Sequence, residues 1–495
     1  MNFTAEILER RDPQARALIE LTREGSRREW SFGEVAERSA RLAGSLASLG
    51  VGRGDVVMTL IGNRPEWVLG MVACFRIGAV VLPCTEQLRA KDLRLRIEAV
   101  RPRLILADER NAGELEAALA TANAETAVLY VPDERLFASE PAPAVELAEH
   151  DPCVITFTSG TAGEPKAVLH AQRYLLGQRV QAEHWLAARP GELVWCTAAS
   201  GWSKSARNVF VAPWLNGAAA LLHDARFDPA ERLELLAREQ VNVLCMAPTE
   251  YRVIAKRATL APLASLRGMV AAGEALNPEV LHAWREVTGL EIRDGYGQTE
   301  TGQLTGAPLG EPARPGSMGR ALPGMQLSVK DGELTVVPAS VPTFFLGYLG
   351  EDARREPDGS WSVSDRRAGE PWRTGDRVHA DEHGWLYFEG RADDVIISAG
   401  YRIGPFEVES ALVAHPAVAE AAAVAAPDEE RGAVVRAIVV LREGHPSPEL
   451  ARELQEHVKR ETAPYKYPRI VEFAEELPKT ASGKVRRAQL RARDS

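Results

Sequence analysis

The sequence predicts an α/β fold, with a large N-terminal domain of parallel α/β sheets plus a β-rich subdomain, and a smaller C-terminal α+β domain. The chain has 495 residues, which is more than one hydrophobic core usually supports. Short β-branched apolar runs alternate with segments of helical spacing over most of its length. The pattern changes to β meanders near Met325, and after Asp393 a unit of about 100 residues begins. We therefore expect domains at residues 1–392 and 393–495.

The clearest βαβ unit lies near the N-terminus. Asp55–Ile61 is β-branched and apolar, Asn63–Gly78 has helical spacing, and Val80–Cys84 is a second short strand. Such a unit requires two parallel strands and a right-handed crossover. The same alternation predicts further strands at Glu192–Ala198, Ala218–His223, Val241–Met246, Met269–Ala272 and Glu291–Asp294, and helices at Pro229–Glu239, Thr249–Arg257 and Asn277–Thr288.

The segments after Met325 predict the β-rich subdomain and the smaller domain. Gln326–Lys330 and Glu333–Val337 flank an Asp-Gly turn and are expected to form strands. Gly350–Pro371 is rich in Gly, Asp, Arg and Pro, and we expect an exposed loop there. In the smaller domain, the pattern predicts helices at Glu407–His415 and Pro448–Glu461, and strands at Val418–Ala425, Val434–Leu441 and Val471–Phe473.

Composition narrows the class of protein. The hydrophobic share of 45% and the charged share of 26% are ordinary for a globular protein, and the net charge of −10 disfavours a nucleic-acid scaffold. The N-terminus lacks a signal-peptide layout, and the longest apolar stretch, around Gly70–Cys84, contains Arg76 and is too short for a bilayer. Five scattered cysteines without a metal-ligand pattern are expected to stay reduced. We therefore expect a cytoplasmic protein without integral membrane contact or nucleic-acid partner.

The loop at residues 158–166 is the most informative segment. It follows the apolar run Val154–Phe157, and nearly all its side chains are hydroxyl-bearing or absent. Glycines let the backbone approach a ligand closely, and hydroxyls and a lysine can surround nucleotide phosphates. No Gly-Lys-Ser/Thr sequence closes the segment, so it is not a Walker loop; the alternative is a Gly/Ser/Thr surface turn. The candidate phosphate ligands are Thr158, Ser159, Gly160, Thr161, Gly163 and Lys166.

Four further residues are candidates for nucleotide chemistry. Glu300 is a hard oxygen ligand suited to Mg²⁺, and Thr299 beside it can donate to a phosphate. Tyr296 can stack on adenine, and Asp376 would accept from ribose hydroxyls only on the strength of the family resemblance described below. Each also has an ordinary interpretation, because a Thr-Glu pair can be solvated, a tyrosine can belong to the core, and an aspartate after Thr-Gly can be a turn residue.

Taken together and in order, these motifs resemble the acyl-adenylate-forming superfamily. Residues 201–204, 212–214 and 296–302 look most like medium-chain acyl-CoA synthetases. The matching segments are the loop at 158–166, Ala272 to Glu274, Asp294 to Glu300, Arg373 to Asp376, Gly390-Arg391 with Asp393-Asp394, Gly400 to Ile403, and Pro478 to Lys484.

The resemblance implies the ligands and the roles of the residues. ATP, Mg²⁺ at Glu300, and coenzyme A would be used. Lys484 would bridge the carboxylate and the α-phosphate during adenylation, with Thr299 and Glu300 beside it. The small domain would be mobile about a hinge at Asp393, and Gly400 would then line the pantetheine tunnel. The other nucleotide contacts would come from Gly273, Glu274, Asp294, Gly295, Tyr296, Gly297, Gln298, Asp376, Arg391 and Arg402.

The acyl pocket is expected to form from Gly201–Phe210, Met269–Ala272 and Gly302–Leu304. Trp202 is either a gate or wall of this pocket or a plain core tryptophan. Lys204 stands near where amino-acid-activating relatives place an aspartate, and a cation would repel an ammonium group. We therefore expect a fatty or aromatic monocarboxylate of medium size as substrate. The candidate substrate contacts are Trp202, Lys204, Ala271 and Gly302.

The expected function is that of an ATP-dependent acyl-CoA synthetase, an acid–thiol ligase that forms an acyl-AMP, releases pyrophosphate and then makes the CoA thioester. The alternative is a stand-alone adenylating enzyme that loads a carrier protein, although no carrier domain is evident on the chain. A non-catalytic nucleotide sensor would be expected to have lost Lys484, Glu300 or Asp376, and all three are present. The expected partners are small molecules, with a homodimer left open.

Overall fold

The computed structural model describes residues 1–158, 165–274, 276, 278–392, 394–398, 401–428, 430–480 and 484–491, with the side chain of Arg402 outside the description. Within these ranges, no helix combines the length and the apolar character needed to cross a membrane.

The first of two seven-stranded sheets contains the predicted strands between residues 193 and 295. Six of its strands run parallel, and the seventh pairs antiparallel at one edge. The carboxyl ends of the parallel strands meet at one rim of the sheet, where ligands bind in open α/β folds. In spatial order its strands are Ile292–Gly295, Gly268–Ala272, Val243–Met246, Leu193–Cys196, Ala219–His223, Arg16–Leu21 and Arg27–Ser31.

The second seven-stranded sheet confirms the predicted βαβ unit. Val56–Leu60 pairs parallel with Val80–Cys84, and helix Pro65–Ile77 connects them. At one edge of this sheet, Pro152–Phe157, the strand before the loop at residues 158–166, pairs antiparallel with Ala167–Ala171. Gly347–Tyr348 then pairs antiparallel with Ala167–Ala171 and ends the sheet. In spatial order its strands are Gly347–Tyr348, Ala167–Ala171, Pro152–Phe157, Val80–Cys84, Val56–Leu60, Leu104–Asp108 and Ala127–Val131.

The main core lies between these two sheets. Every residue of helix Pro65–Ile77 except Glu66 is buried, because the helix is apolar on all sides and occupies the space between the sheets. Other helices cover the two outer faces, so helices and sheets alternate in layers. The helices of this part are Phe32–Ser48, Pro65–Ile77, Ala90–Val100, Ala112–Ala122, Arg173–Gly177, Arg179–Gln181, Ala212–Leu215, Pro229–Arg238, Pro248–Arg257 and Pro278–Thr288.

The β-rich part and the C-terminal part follow in chain order, and the predicted fold class is confirmed. A four-stranded antiparallel sheet consists of Leu327–Lys330, Glu333–Val336, Trp372–Ala380 and Leu386–Arg391. The C-terminal part has its own apolar core. It contains strands Val418–Asp428, Gly432–Leu441 and Ile470–Phe473, and helices Pro405–Ala414, Pro448–Glu461 and Arg487–Arg491.

The prediction of an exposed loop over Gly350–Pro371 is wrong in its centre. Ala353–Arg355 pairs antiparallel with Trp361–Val363, and Ala353 is buried. The Trp361 indole donates to the carbonyl of Gly54 over 2.9 Å. The polar composition of the segment concealed the few apolar side chains that dock this hairpin on the second sheet. Other short antiparallel pairs are Gly297–Gln298 with Gly302–Gln303, Thr305–Gly306 with Arg320–Ala321, and Ile396–Ser398 with Tyr401–Ile403.

Candidate active site

A cleft of about 1990 Å³ lies at the carboxyl rim of the first sheet. Residues directly after four of the parallel strands line it, namely Thr197, Ala247, Gly273 and Tyr296. The antiparallel sheet and the C-terminal part supply the remaining walls. The cleft therefore lies where the strand order predicts a ligand site, and it contains groups from every part of the fold.

Asp376 is the centre of a buried polar network at one end of the cleft. Its carboxylate accepts hydrogen bonds from the Tyr296 hydroxyl and, over 2.8 Å, from the Gln298 amide nitrogen. The Arg391 guanidinium lies 3.2 Å from the other oxygen. Burial raises the pKa of the Asp376 carboxyl, and the charge of Arg391 opposes that rise. The network fixes a carboxylate beside an aromatic ring, which is what ribose hydroxyls and an adenine ring require.

The two ends of the phosphate-loop candidate are tied together. The Thr158 amide donates to the Lys166 carbonyl over 2.9 Å, and the Lys166 amide donates to the Thr158 hydroxyl over 2.9 Å. The Lys166 ammonium lies 2.7 Å from Glu351 and 4.7 Å from the centre of the Tyr348 ring. Residues between these ends, including the predicted ligands Ser159, Gly160, Thr161 and Gly163, lie outside the described residues.

Thr299 and Glu300 line the cleft beside Tyr348, whose hydroxyl donates to a Glu300 oxygen over 2.8 Å. Burial raises the pKa of the Tyr348 hydroxyl, and the Glu300 charge adds to the rise, so the phenol stays protonated. No cluster of three or more acidic, histidine or cysteine ligands occurs among the described residues. A single carboxylate with open positions fits Mg²⁺ that arrives with phosphate oxygens and water, which is how nucleotide-bound magnesium is usually held.

Lys484 projects into the same cleft from the C-terminal part. Its backbone is held by two hydrogen bonds with Thr480, of 2.8 Å and 3.2 Å, and by bridge pairing of Lys479 with Val485. Surrounding protein lowers the pKa of the Lys484 ammonium, as does the charge of Lys204, whereas Glu274 and Asp376 act in the opposite direction. Lys484 as a whole is nevertheless an exposed residue at the wall of the cleft. The C-terminal part thus places the Lys484 side chain in a cleft that is otherwise lined largely by the large part.

Trp202 and Lys204, which the sequence assigns to the acyl pocket, also line the cleft. Gly201 has φ +87°, and a Cβ there would lie 2.2 Å from the Thr85 nitrogen, so glycine alone brings this loop against the second sheet. The Lys204 ammonium donates to the Ala272 carbonyl over 3.1 Å. At Gly273, with φ +106°, an added Cβ would meet that ammonium at 3.0 Å.

Two of the predicted substrate contacts do not line the cleft. Ala271 packs into the apolar core on the far face of the sheet, while Ala272 lines the cleft. Side chains alternate across a strand, so the prediction of Ala271 is displaced by one residue. Gly302 lies behind the wall, where an added Cβ would be 3.5 Å from Arg207.

Some of the other predicted contacts line the cleft, and the rest, together with the hinge residue, lie outside the described residues. Glu274 lines the cleft, where it accepts from the Thr249 hydroxyl over 2.6 Å. Asp294 accepts from the Gly295 amide over 2.8 Å, and burial raises its pKa. Asp393, Gly400 and the side chain of Arg402 lie outside the description. The cleft-lining residues among the predicted ligands are Thr158, Lys166, Gly273, Glu274, Asp294, Gly295, Tyr296, Gly297, Gln298, Thr299, Glu300, Asp376, Arg391 and Lys484.

The structure also adds residues that the motifs did not reveal. Tyr348, Glu351 and Arg207 all line the cleft. Glu351 comes from the segment Gly350–Pro371, whose composition indicated only a loop, and Tyr348 lies just before that segment. Arg207 follows Lys204 by about one helical turn, and that spacing was a signal for a shared face.

Known proteins with the same architecture also share sequence with this chain. Residues 6–349 match the family model described as AMP-binding enzyme, and residues 407–484 match that of the AMP-binding enzyme C-terminal domain. The rat mitochondrial acyl-coenzyme A synthetase ACSM3 is 38% identical over 488 residues, covering 94% of this chain and 84% of the rat protein. The uncharacterized acyl–CoA ligase YtcI of Bacillus subtilis is 38% identical over 502 residues, covering 97% and 93% respectively.

Among solved structures, the anthranilate CoA ligase AuaEII in complex with anthranoyl-AMP superposes with a TM-score of 0.87 at 27% identity. The match covers 100% of this chain and 97% of that chain.

Proposed function

This chain belongs to the AMP-binding enzyme family as an AMP-forming acid–thiol ligase, and we propose that it activates a fatty or aromatic carboxylic acid of medium size. One observation carries the proposal. Lys484 of the C-terminal part lines the same cleft as Asp376, Glu274 and Lys204 of the large part. One cleft therefore holds the cation, the network suited to a nucleoside and the wall proposed for an acyl group.

In the first half-reaction, a carboxylate oxygen attacks the α-phosphorus of ATP, and pyrophosphate leaves with the electron pair of the broken P–O bond. Negative charge grows on the oxygens between acid and phosphate, so a preorganised cation there lowers the barrier. Lys484 supplies that cation, Thr299 donates to the α-phosphate, and the Asp376 network holds the ribose. The loop at residues 158–166 holds the outer phosphates.

Magnesium would neutralise the triphosphate when bound at Glu300. We expect Glu300→Gln to raise the Mg²⁺ concentration needed for half-maximal pyrophosphate release and to lower the maximal rate by about 100-fold, because metal stabilisation is worth several kcal/mol. Titration of Mg²⁺ at saturating ATP measures both. Glu311→Gln is the control, since Glu311 pairs with Arg320 outside the cleft. An unchanged Mg²⁺ response in Glu300→Gln would remove Glu300 from this role.

In the second half-reaction, the CoA thiolate attacks the acyl carbon of the adenylate, and AMP leaves with the carboxylate oxygen. We propose that residues 393–495 form the lid for this step, turning about Asp393 so that Lys484 leaves the cleft and Gly400 borders the entering pantetheine. Movement of a lid between two reaction steps also excludes water from the anhydride.

The tunnel role of Gly400 predicts a separation of the two half-reactions. In Gly400→Leu we expect acid-dependent pyrophosphate release to stay near normal and thioester formation to fall by about 100-fold, because a side chain would misplace the thiol. Rapid-quench assays with and without CoA measure the two steps. Gly113→Leu is the control, since nothing lies within 4 Å of an added Cβ there. Equal losses in both steps would contradict the tunnel assignment.

A product assay tests the proposed function as a whole. Octanoate, butyrate and benzoate would each be incubated with ATP and Mg²⁺, with and without CoA, and the products identified by mass. CoA-dependent formation of acyl-CoA and AMP is the expected result. Accumulation of acyl-AMP without acyl-CoA, and transfer only to an added carrier protein, would instead favour the stand-alone adenylating enzyme.

A further inference from the structure

Arg207 differs from the other buried arginines of the large part. Its side chain is buried, with only 4% of the residue exposed, and it lines the cleft. Arg173 makes contacts of 2.9 and 3.0 Å with Asp365, and Arg76 pairs with Glu9. Arg207 donates a hydrogen bond to the Tyr174 hydroxyl, but among the residues that the structure describes no protein group accepts from its Nε or Nη1. Burying a guanidinium whose N–H groups lack acceptors costs several kcal/mol of folding free energy, so the arrangement requires an explanation.

Buried polar groups lie beside Arg207, on the side away from the cleft. The centre of the His170 ring lies 4.1 Å from that of Tyr174, and the two rings are tilted by 35°. The Gln178 side chain is completely buried next to the Tyr174 hydroxyl. Burial lowers the pKa of His170 to about 3, and the charge of Arg207 adds to the effect. The histidine is therefore neutral and adds no second charge.

The backbone places Arg207 at the wall of the cleft. Arg207 begins the single π-helical turn Arg207–Val211, shortly after the loop that carries Trp202 and Lys204, and it lines the cleft. Behind it the protein is tightly packed, because an added Cβ at Gly302 would lie 3.5 Å from Nη1 and only 2.7 Å from the Thr343 hydroxyl. Single π-helical turns often occur at functional sites.

We propose that Arg207 binds an oxygen acceptor at the end of the acyl group remote from the reacting carboxylate. The preferred substrates are then medium-size acids that carry a hydroxyl, carbonyl or second carboxylate oxygen at that end. This inference rests on the proposed ligase function and narrows its acid. The N–H groups of the guanidinium can donate to such oxygens. A plain hydrocarbon chain would exclude water from the site and leave these N–H groups unpaired.

Two matched series of acids test the proposal. One consists of octanoate, 8-hydroxyoctanoate and octanedioate, and the other of benzoate, 4-hydroxybenzoate and terephthalate. We expect the wild type to have a kcat/KM at least ~10-fold higher for an oxygenated member than for its parent, since sites built around polar groups reject analogues that lack the partner. The hydroxyl and carboxylate members show which oxygen group is bound.

Variants of Arg207 provide the second arm of the test. Arg207→Leu should abolish or reverse the preference, and Arg207→Lys should retain part of it. Arg76→Met, which removes a buried arginine outside the cleft, should leave the ratio of the two kcat/KM values unchanged even if stability falls. A wild-type preference for the plain acids, or a preference that persists in Arg207→Leu, would overturn the proposal.

Direct binding separates this inference from the ligase function. Calorimetry of the same acids with wild type and Arg207→Leu requires no turnover. If no acid yields acyl-AMP or acyl-CoA, the proposed function fails, and calorimetry still decides whether Arg207 favours an oxygenated acid. If acyl-CoA forms but no oxygenated acid is preferred in turnover or binding, only the role of Arg207 fails.

Discussion

Replacing Lys484 with alanine is expected to lower acid-dependent pyrophosphate release by at least ~100-fold, the scale for losing a preorganised charge-stabilising donor. The ammonium is held in the cleft by a loop whose backbone is hydrogen-bonded through Thr480, so water cannot reproduce its position. The effect should appear in the maximal rate rather than in the KM for ATP, because the charge that Lys484 meets develops during the reaction.

Two comparisons make the Lys484 result specific. Purified acyl-AMP supplied with CoA should still be converted to acyl-CoA by Lys484→Ala, because the lysine acts only in adenylation. Lys459→Ala, in which a half-buried lysine that pairs with Glu456 outside the cleft is removed from the same C-terminal part, should behave as wild type. Normal pyrophosphate release by Lys484→Ala would refute the adenylation role.

Replacing Asp376 with alanine is expected to raise the KM for ATP by about 100-fold, because removal of one member of a buried, charged hydrogen-bonded network costs 2–5 kcal/mol. Asp376 is 4% exposed and accepts from Tyr296 and Gln298 while pairing with Arg391. Its loss removes the proposed ribose acceptor and also the group that orients the Tyr296 ring. Initial rates over a wide range of ATP concentration measure the change.

The Asp376 prediction has its own controls. Asp376→Asn should give a smaller increase, because the amide oxygen can still accept from Tyr296. Asp358→Ala, at an exposed turn with Ser360, should leave the KM for ATP unchanged. If Asp376→Ala instead changed only the KM for the acid, the ribose assignment would be wrong.

The sheets were predictable because their signal is local. Val56–Leu60 and Val80–Cys84 are short apolar runs around a helix that is apolar on all sides, and parallel pairing follows from that order. The Ala353–Arg355 and Trp361–Val363 hairpin was not predictable in the same way. Its stability comes from contacts such as that of Trp361 with Gly54, which is remote in sequence.

More of the proposed nucleotide contacts than of the proposed substrate contacts line the cleft. Asp376 and Tyr296 belong to motifs that are separated in sequence, yet they meet in one hydrogen bond. Ala271 was misplaced because every residue of strand Gly268–Ala272 is buried, so the sequence has no polar alternation that would show which face of the strand meets the cleft. That Nε and Nη1 of Arg207 lack an acceptor among the described residues depends on every neighbour in three dimensions, and no sequence pattern records it.

The most direct test of the account is the fate of isotopically labelled carboxylate oxygen. The enzyme would be incubated with ATP, CoA and octanoate, or another acid that it turns over, carrying ¹⁸O in both carboxylate positions, and the nucleotide product analysed by mass. Attack on the α-phosphorus, followed by thiol attack on the acyl carbon, predicts AMP that contains one ¹⁸O atom for each acyl-CoA formed. Unlabelled AMP, or ADP with ¹⁸O in inorganic phosphate, would contradict the acyl-adenylate route.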